Sequence, residues 1–397
     1  VSSTVVASTV MKLIASRAAV TKADIVRVSG LARTTVDNAL APLFTTGAVR
    51  HAGIRPAVGR GRPAEELEIA PTYGVVLVAD CGVRAAKLAV FDFGQQVLAS
   101  SQVPIDLSRG PQPVLDDVIA GFTDLVEKAG VADAPRTAVI GLPGPVDQRH
   151  GAVVRPPLMP GWDGFGVVAA LSEALGCQVL IENDVNLRAL GEQRVLSEAI
   201  GPLVYLKCGT GIGSGLVTAD GMLLHGADGA AGDIGHVRVV GSDDPCPCGN
   251  TGCLEAYASL RALAGVDDSE GEASSEQVEQ FLDVLRARDA RAVALLRDRA
   301  PAIGEVVVSL VHVLNPAIVV VGGAMAAATD DLLAAVRSVV YQRSLPLATR
   351  NLTITGPQLG DDSGLYGGLA LGLEAAMEPA ALHDRLAALR PGRRRSR

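Results

Sequence analysis

The chain has 397 residues, 48% of them apolar and 20% charged, with 44 glycines and few aromatics. That composition describes a globular protein of two or three domains, rich in tight turns. It contains no apolar run near the roughly eighteen residues a membrane helix needs. The N-terminal residues also lack the basic-then-apolar order of an export signal. The expectation is a cytoplasmic protein, without membrane contact, whose cysteines stay reduced.

The net charge of −8 is unevenly spread. Residues 1–63 hold nine Lys/Arg and two Asp/Glu, a balance of +7, so the remainder carries −15. A basic segment joined to an acidic body predicts that one end meets a polyanion. Val6, Val10, Leu13 and Ile14 fall on the stripe of an amphipathic helix. Thr21 reads as the N-cap of a second helix, with Asp24 in the capping-box position and Ile25 and Val28 on the buried face. Ser29-Gly30-Leu31 forms the turn. A third helix starts near Ala32 and buries Val36, Leu40 and Leu43, while Arg33, Thr34, Thr35, Asp37 and Asn38 point outward. Pro42 should kink or end it near Ala41. Ala48–His51 and Leu67–Ile69 read as two strands of a wing, with Arg55, Arg60, Gly61, Arg62 and Pro63 at the tip. This is a winged helix-turn-helix plan. The outward side chains of the third helix suit a major groove, and the Arg-Gly-Arg tip suits a minor groove. A helical bundle used for protein contacts is the alternative.

From Tyr73 the pattern changes to α/β. Strands are predicted at Val75–Asp80, Ala85–Phe91 and Gln95–Val103, then a helix at Val114–Ala129 and a strand at Thr137–Gly141. A similar order recurs with strands at Leu203–Lys207, Ile212–Thr218 and Ala317–Gly322. Duplication of this kind predicts two lobes, with ligands at the carboxyl ends of the strands. The expected units are 1–70 for the DNA-binding head, 71–200 and 201–380 for the lobes, and 381–397 for a basic tail. Leu365–Glu374 should be a helix between the lobes, and the tail should be disordered and solvated.

Three motifs mark the expected cleft. Ile181-Glu-Asn183-Asp184-Val-Asn186 ends a strand with groups suited to neighbouring sugar hydroxyls, and a carboxylate there can accept a hydroxyl proton. The glycine-rich Cys208-Gly209-Thr210-Gly211-Ile-Gly213-Ser-Gly215 offers bare amides for a phosphate. Gly322 and Gly323 leave room for a flat ring after a further strand.

A fourth cluster is more specific. His236, Cys246, Cys248 and Cys253 place one imidazole and three thiols within eighteen residues. A Cys₃His set at this spacing fits a closed structural zinc site. Ordinary buried thiols are the alternative.

In these motifs, in Gly141-Leu-Pro-Gly-Pro-Val146, in Pro160-Gly-Trp162 and in Cys-x-Cys-Gly-x-x-Gly-Cys-x-Glu, the chain resembles the ROK family of repressors, open reading frames and sugar kinases. The resemblance covers nearly the whole length and is strongest to its sugar-responsive repressors. It implies an actin-like (ribonuclease H-like) two-lobed ATPase/sugar kinase fold behind the winged helix. It also implies sugar contacts from Asn183, Asp184, Asp233, His236 and Glu255, with Asp184 as catalytic base in members that are kinases. Nucleotide contacts would fall to Asp80, Gly82, Gly209, Thr210, Gly211, Gly213, Gly322 and Gly323. Two departures stand out. The kinases' Asp-x-Gly-Gly-Thr is here Asp80-Cys-Gly82-Val83-Arg84, and Asp233 replaces a glutamate.

The resulting expectation is a sugar-responsive regulator, DNA-bound at the nucleoid. It would bind double-stranded operator DNA through Arg33, Thr34, Thr35, Asn38, Arg60 and Arg62, take a sugar or sugar phosphate as effector, and assemble as a homodimer or homotetramer. The second reading is an ATP- and magnesium-dependent sugar kinase carrying an extra domain. A zinc hydrolase is disfavoured, because a four-ligand site leaves no position for water.

Overall fold

The basic N-terminal segment folds as three helices and a hairpin in a computed structural model that describes residues 3–55, 64–156, 159–196, 201–266 and 273–388. Helix α1 (Ser3–Ala15) buries Val6, Val10 and Ile14. Thr21 caps α2 (Lys22–Ser29): its hydroxyl accepts from the Asp24 amide at 3.1 Å and donates to the Asp24 carboxylate at 2.8 Å. The Asp24 carboxylate thus pairs with the cap hydroxyl, whereas the side chain of a capping box reaches the cap's backbone amide. Gly30, at φ 69°, ends α2, and α3 (Arg33–Thr45) buries Val36, Leu40 and Leu43. Strands β1 (Val49–Arg55) and β2 (Ala64–Ile69) pair antiparallel and run longer than the sequence suggested.

One local expectation fails here and another is narrowed. Val28 is 46% exposed, because α2 turns Ile25 and, in part, Val26 towards the core instead. Of the two outcomes expected at Pro42, an end to α3 does not occur, since the helix continues to Thr45. One missing hydrogen bond is offset by complete burial of Leu43 and by the Thr45 hydroxyl donating to the Ala41 carbonyl.

The first lobe is a five-stranded sheet. Its strands are β3 (Val75–Cys81), β4 (Ala85–Asp92), β5 (Val97–Pro104), β6 (Thr137–Leu142) and, after the short hairpin β7 (Val146–Asp147) and β8 (Ala152–Val153), β9 (Gln178–Asn183). The order is β5-β4-β3-β6-β9, with β3, β6 and β9 parallel. Helices α4 (Pro111–Lys128) and α5 (Val167–Leu175) make the crossovers. Helix α6 (Asp184–Val195) leaves β9 directly and leads to the second sheet, which contains β10 (Leu203–Cys208) and β11 (Ile212–Val217). A long loop then carries α7 (Leu254–Ala258) and α8 (Leu260–Leu263). Beyond it come α9 (Ala273–Arg286), α10 (Ala290–Leu314), β12 (Ile318–Gly322), α11 (Ala324–Ala328), α12 (Asp331–Arg343), α13 (Pro346–Thr349) and β13 (Thr353–Thr355). The second order, β11-β10-β12-β13, repeats β4-β3-β6-β9. In place of β5, the described residues show a single Val217–Leu223 bridge.

Helix α14 (Ser363–Ala376) forms as expected and packs on the first sheet. It crosses α6 so closely that a Cβ on Gly367 would sit 1.8 Å from the Leu187 carbonyl oxygen, and one on Gly191 2.0 Å from that of Ser363. Glycine is required at both crossings. The Glu192 carboxylate of α6 accepts from the amides of Gln358 and Leu359 and from the Ser363 hydroxyl, fixing the start of α14.

One face of the first sheet packs on α4 and α5 through Val114, Phe122, Trp162 and Leu171. The other face, with Val76, Val78 and Phe91, shares a single apolar cluster with Leu365 and Leu369 of α14 and with Val10, Met11 and Leu43 of the N-terminal unit. That unit is therefore seated on the body. The cluster also takes in Leu382 of α15 (Pro379–Ala388). The expected tail is thus helical as far as residue 388, because its first turns have an apolar surface to cover; residues 389–397 lie outside the described residues. No helix among the described residues is long and apolar enough to cross a membrane.

Candidate functional site

The carboxyl ends of β3, β6 and β9 in one lobe, and of β10 and β12 in the other, bring the motifs together. Asn183 ends β9 and caps α6. Its Oδ1 accepts from the amides of Val185 at 2.9 Å and Asn186 at 3.3 Å, while its Nδ2 donates to the Gly144 carbonyl at 2.9 Å. Asp184, the first residue of α6, is 2% exposed, and Lys207 at the end of β10 donates its ammonium to Asp184 Oδ2. The two lobes thus meet in an ion pair at the centre of the cleft.

Beside it, Glu182 is buried and densely bonded. Its Oε1 accepts from the Asn183 amide at 2.8 Å and from Asn186 Nδ2 at 2.9 Å. Its Oε2 accepts from Gln148 Nε2 and faces His225 Nε2 at 2.8 Å. The Glu182 bond raises the His225 pKa, with burial opposing.

Asp80 ends β3 as expected, but its partner was not anticipated. Arg188 Nη2, one helical turn beyond Asp184, donates to Asp80 Oδ2 at 2.6 Å. Asp80 Oδ1 and Arg188 Nε have no hydrogen-bond partner among the described residues. Burial pushes the Asp80 pKa up and Arg188 opposes it. Arg84 does not crowd the Gly82 loop. Its guanidinium turns away to Asp106 at 2.7 Å, and the Gly82 amide closes the turn on the Ala85 carbonyl at 2.8 Å.

The glycine motifs serve packing. A Cβ on Gly322 would lie 2.1 Å from the Tyr205 hydroxyl, and one on Gly323 2.5 Å from the Cys208 carbonyl oxygen. Glycine is therefore required at both positions for the chain to pack. A Cβ on Gly215 would meet the Val185 carbonyl of α6 at 2.6 Å, and one on Gly211 would meet Glu255 Oε2 at 2.6 Å. Glu255 accepts from the Ile212 amide at 3.0 Å and so staples the glycine loop to α7. Burial raises its pKa, with that amide opposing. Gly209, buried, and Thr210 and Gly213, half-buried, complete the loop.

The Cys/His residues converge. One ligand atom from each of His236, Cys246, Cys248 and Cys253 lies within 4.8 Å of all the others. His236 Nδ1 is 3.6 Å from Cys246 Sγ, and Cys248 Sγ is 3.7 Å from Cys253 Sγ. A tetrahedral ion with metal–sulfur bonds of about 2.3 Å and metal–nitrogen bonds of about 2.0 Å requires about 3.5 Å between nitrogen and sulfur and about 3.8 Å between two sulfurs. The donor set fits such an ion. Gly249 and Gly252, at φ 93° and 71°, turn the backbone between the thiols. His236 Nε2 faces Asp233 Oδ1 at 4.0 Å, and Cys253 caps α7, which carries Glu255. The cluster thereby places three of the expected sugar contacts.

On the N-terminal unit, Arg33, Thr34 and Asn38 are exposed on α3 and Thr35 is half-exposed. Asp37 is instead a tie between helices, accepting from Lys22 at 2.9 Å; that bond holds its pKa below the usual carboxylate range. Arg60 and Arg62 lie outside the described residues.

Lys207, Arg188, Gln148 and His225 escaped the sequence reading. Lys207 does adjoin the glycine motif and Arg188 does follow Asp184 at helical spacing, which was the signal available.

Two α/β lobes of repeated strand order, facing a carboxylate-lined cleft, define an actin-like sugar-kinase-type fold. The sequence profile of the ROK family matches residues 76–375, and the chain belongs to that family. The chain is 28% identical over 376 residues to the putative xylose repressor of Caldicellulosiruptor sp. (strain Rt8B.4), covering 91% of this chain and 94% of that one. It is 32% identical over 306 residues to a glucokinase of Halalkalibacterium halodurans, covering 73% and 92%. The crystal structure of a ROK family transcriptional regulator, a homolog of the E. coli MLC protein, matches with a TM-score of 0.78 at 22% identity, covering 97% of this chain and 99% of that one.

Proposed function

We propose that this protein is a sugar-responsive DNA-binding transcriptional regulator, a repressor of carbohydrate genes. Its N-terminal unit is a winged helix-turn-helix that reads the major groove with Arg33, Thr34, Thr35 and Asn38, with Arg60 and Arg62 on the wing. The observation that carries this reading is the shared core. The unit presenting α3 packs against α14, which crosses the helix that begins at Asp184. A ligand that closes the cleft therefore acts on a helix pair directly beneath the head, which is the physical requirement for coupling two sites. Repressors among the relatives support the same reading, since the xylose repressor aligns over both the head and the body.

Asn183, Asp184, Asp233, His236 and Glu255 contact the sugar or sugar phosphate in this proposal. We infer zinc as the occupant of the Cys₃His cluster, held by His236, Cys246, Cys248 and Cys253. It supplies no chemistry beyond pinning the loop and fixing the His236 tautomer, so that Nε2 faces the cleft. Paired heads on an operator call for a homodimer or homotetramer in the cytoplasm.

The alternative is an ATP-dependent sugar kinase, favoured by retention of Asp184 and by the glucokinase relative. Titration of labelled duplex DNA at rising salt, with and without a panel of sugars, separates the two. A regulator binds with a steep salt dependence and changes affinity when its sugar is added. A kinase consumes ATP with a hexose and shows no such change.

A further inference from the structure

Asp80 and Asp184 stand at the carboxyl ends of β3 and β9, two strands apart in the first sheet on the same wall of the cleft, close enough for the Asp184 charge to disfavour the Asp80 carboxylate. In an actin-like phosphotransferase, two carboxylates so placed need a double positive charge, normally the metal of a metal–nucleotide complex. This chain supplies that charge from its own side chains. Lys207 holds Asp184 from the opposite lobe, and Arg188 holds Asp80 at 2.6 Å. Asp184 and Arg188 lie one turn apart on α6, so the four charges form one neutral group. The Lys207 side chain is 24% exposed and the Asp184 side chain 3%, so the carboxylate is buried and its partner reaches the surface only in part. Arg84, at the phosphate end of the first lobe, is likewise committed to Asp106.

We propose that Lys207 and Arg188 take the place of a divalent cation between Asp80 and Asp184, so that the cleft closes on its sugar without metal or nucleotide. Resting on the sugar-cleft reading, this makes Lys207 the residue that separates binding from phosphoryl transfer. The ammonium holds Asp184 Oδ2, so a proton taken from a sugar hydroxyl would discharge the interlobe ion pair. The hydroxyl is met instead by a fixed donor and a fixed acceptor.

The test uses the full chain and Mn²⁺ as probe, followed by electron paramagnetic resonance. The wild type should bind no Mn²⁺ that depends on Asp184. Lys207→Ala should gain at least tenfold in Mn²⁺ affinity, and Lys207→Ala/Asp184→Asn should lose the gain. Lys207→Met, which keeps the apolar stem, should behave like Lys207→Ala and covers the case in which alanine unfolds the protein. Mg–ATP should leave the wild-type melting temperature unmoved. The proposal is overturned if the wild type binds Mn²⁺ and Asp184→Asn abolishes it, if neither Lys207 variant gains affinity, or if Mg–ATP stabilises the wild type. None of these readouts involves DNA or sugar, so failure here leaves the regulator reading standing, and failure there leaves this one.

Discussion

His225 Nε2 lies 2.8 Å from Glu182 Oε2, joining the loop after β11 in the second lobe to the end of β9 in the first. The carboxylate raises the His225 pKa above its ordinary 6.5 in the folded chain. A group whose folded pKa is raised stabilises fully below its unfolded pKa, and the contribution fades as pH rises through the folded value. The wild-type melting temperature should therefore fall as pH is raised from about 6.5 through the upper range of histidine titration. His225→Asn should flatten that slope. An identical pH profile for both proteins would show that the pair is not closed in solution.

The α6–α14 crossing has no room for a methyl group. Gly367→Ala places a Cβ against the Leu187 carbonyl, where backbone must move. Overpacking of this kind costs about 1–3 kcal/mol, measurable as a lower urea midpoint at unchanged slope. Gly130→Ala, with nothing within 4 Å, tests only the cost of positive φ and should lose less.

Elemental analysis should find one zinc per chain, and Cys253→Ser should remove it. Because Cys253 caps the helix that carries Glu255, metal loss should also weaken sugar binding and lower the melting temperature. Chelator treatment of the wild type should reproduce both effects, and full stability without metal would refute the ligand assignment.

Arg33→Ala and Asn38→Ala should each weaken DNA binding roughly tenfold or more, since a specific base contact is worth about 1–3 kcal/mol. Both side chains are exposed, so the melting temperature should not change. Lys22→Ala serves as a contrast. It breaks the tie to Asp37 and should loosen the angle between α2 and α3, with an effect on DNA affinity only through that angle.

Features set by neighbours along the chain were legible from sequence. Thr21 and Asp24 are three residues apart, and Thr21 caps α2 as its type predicts. The Cys₃His set spans eighteen residues and converges because glycines sit where the backbone must turn. What escaped were partners distant in sequence. Lys207 and Asp184 are separated by 23 residues and Arg188 and Asp80 by 108, and no local pattern marks either pair. Glycine motifs are ambiguous for a related reason. A bare Cα admits a ligand or a neighbouring backbone equally well, and at Gly322 and Gly323 an added Cβ would meet Tyr205 and Cys208. The helix at 379–388 was missed because a basic terminus reads as solvated until an apolar surface lies beside it.

The central claim is that the cleft governs the head. Its most direct test is the DNA affinity of wild type and Asp184→Asn, measured by fluorescence anisotropy with and without a sugar selected by thermal shift. Sugar should change the wild-type affinity at least tenfold, and Asp184→Asn should bind DNA equally well while losing the response. A sugar response that survives in Asp184→Asn, or a wild type whose DNA affinity ignores every sugar that stabilises it, would contradict the account.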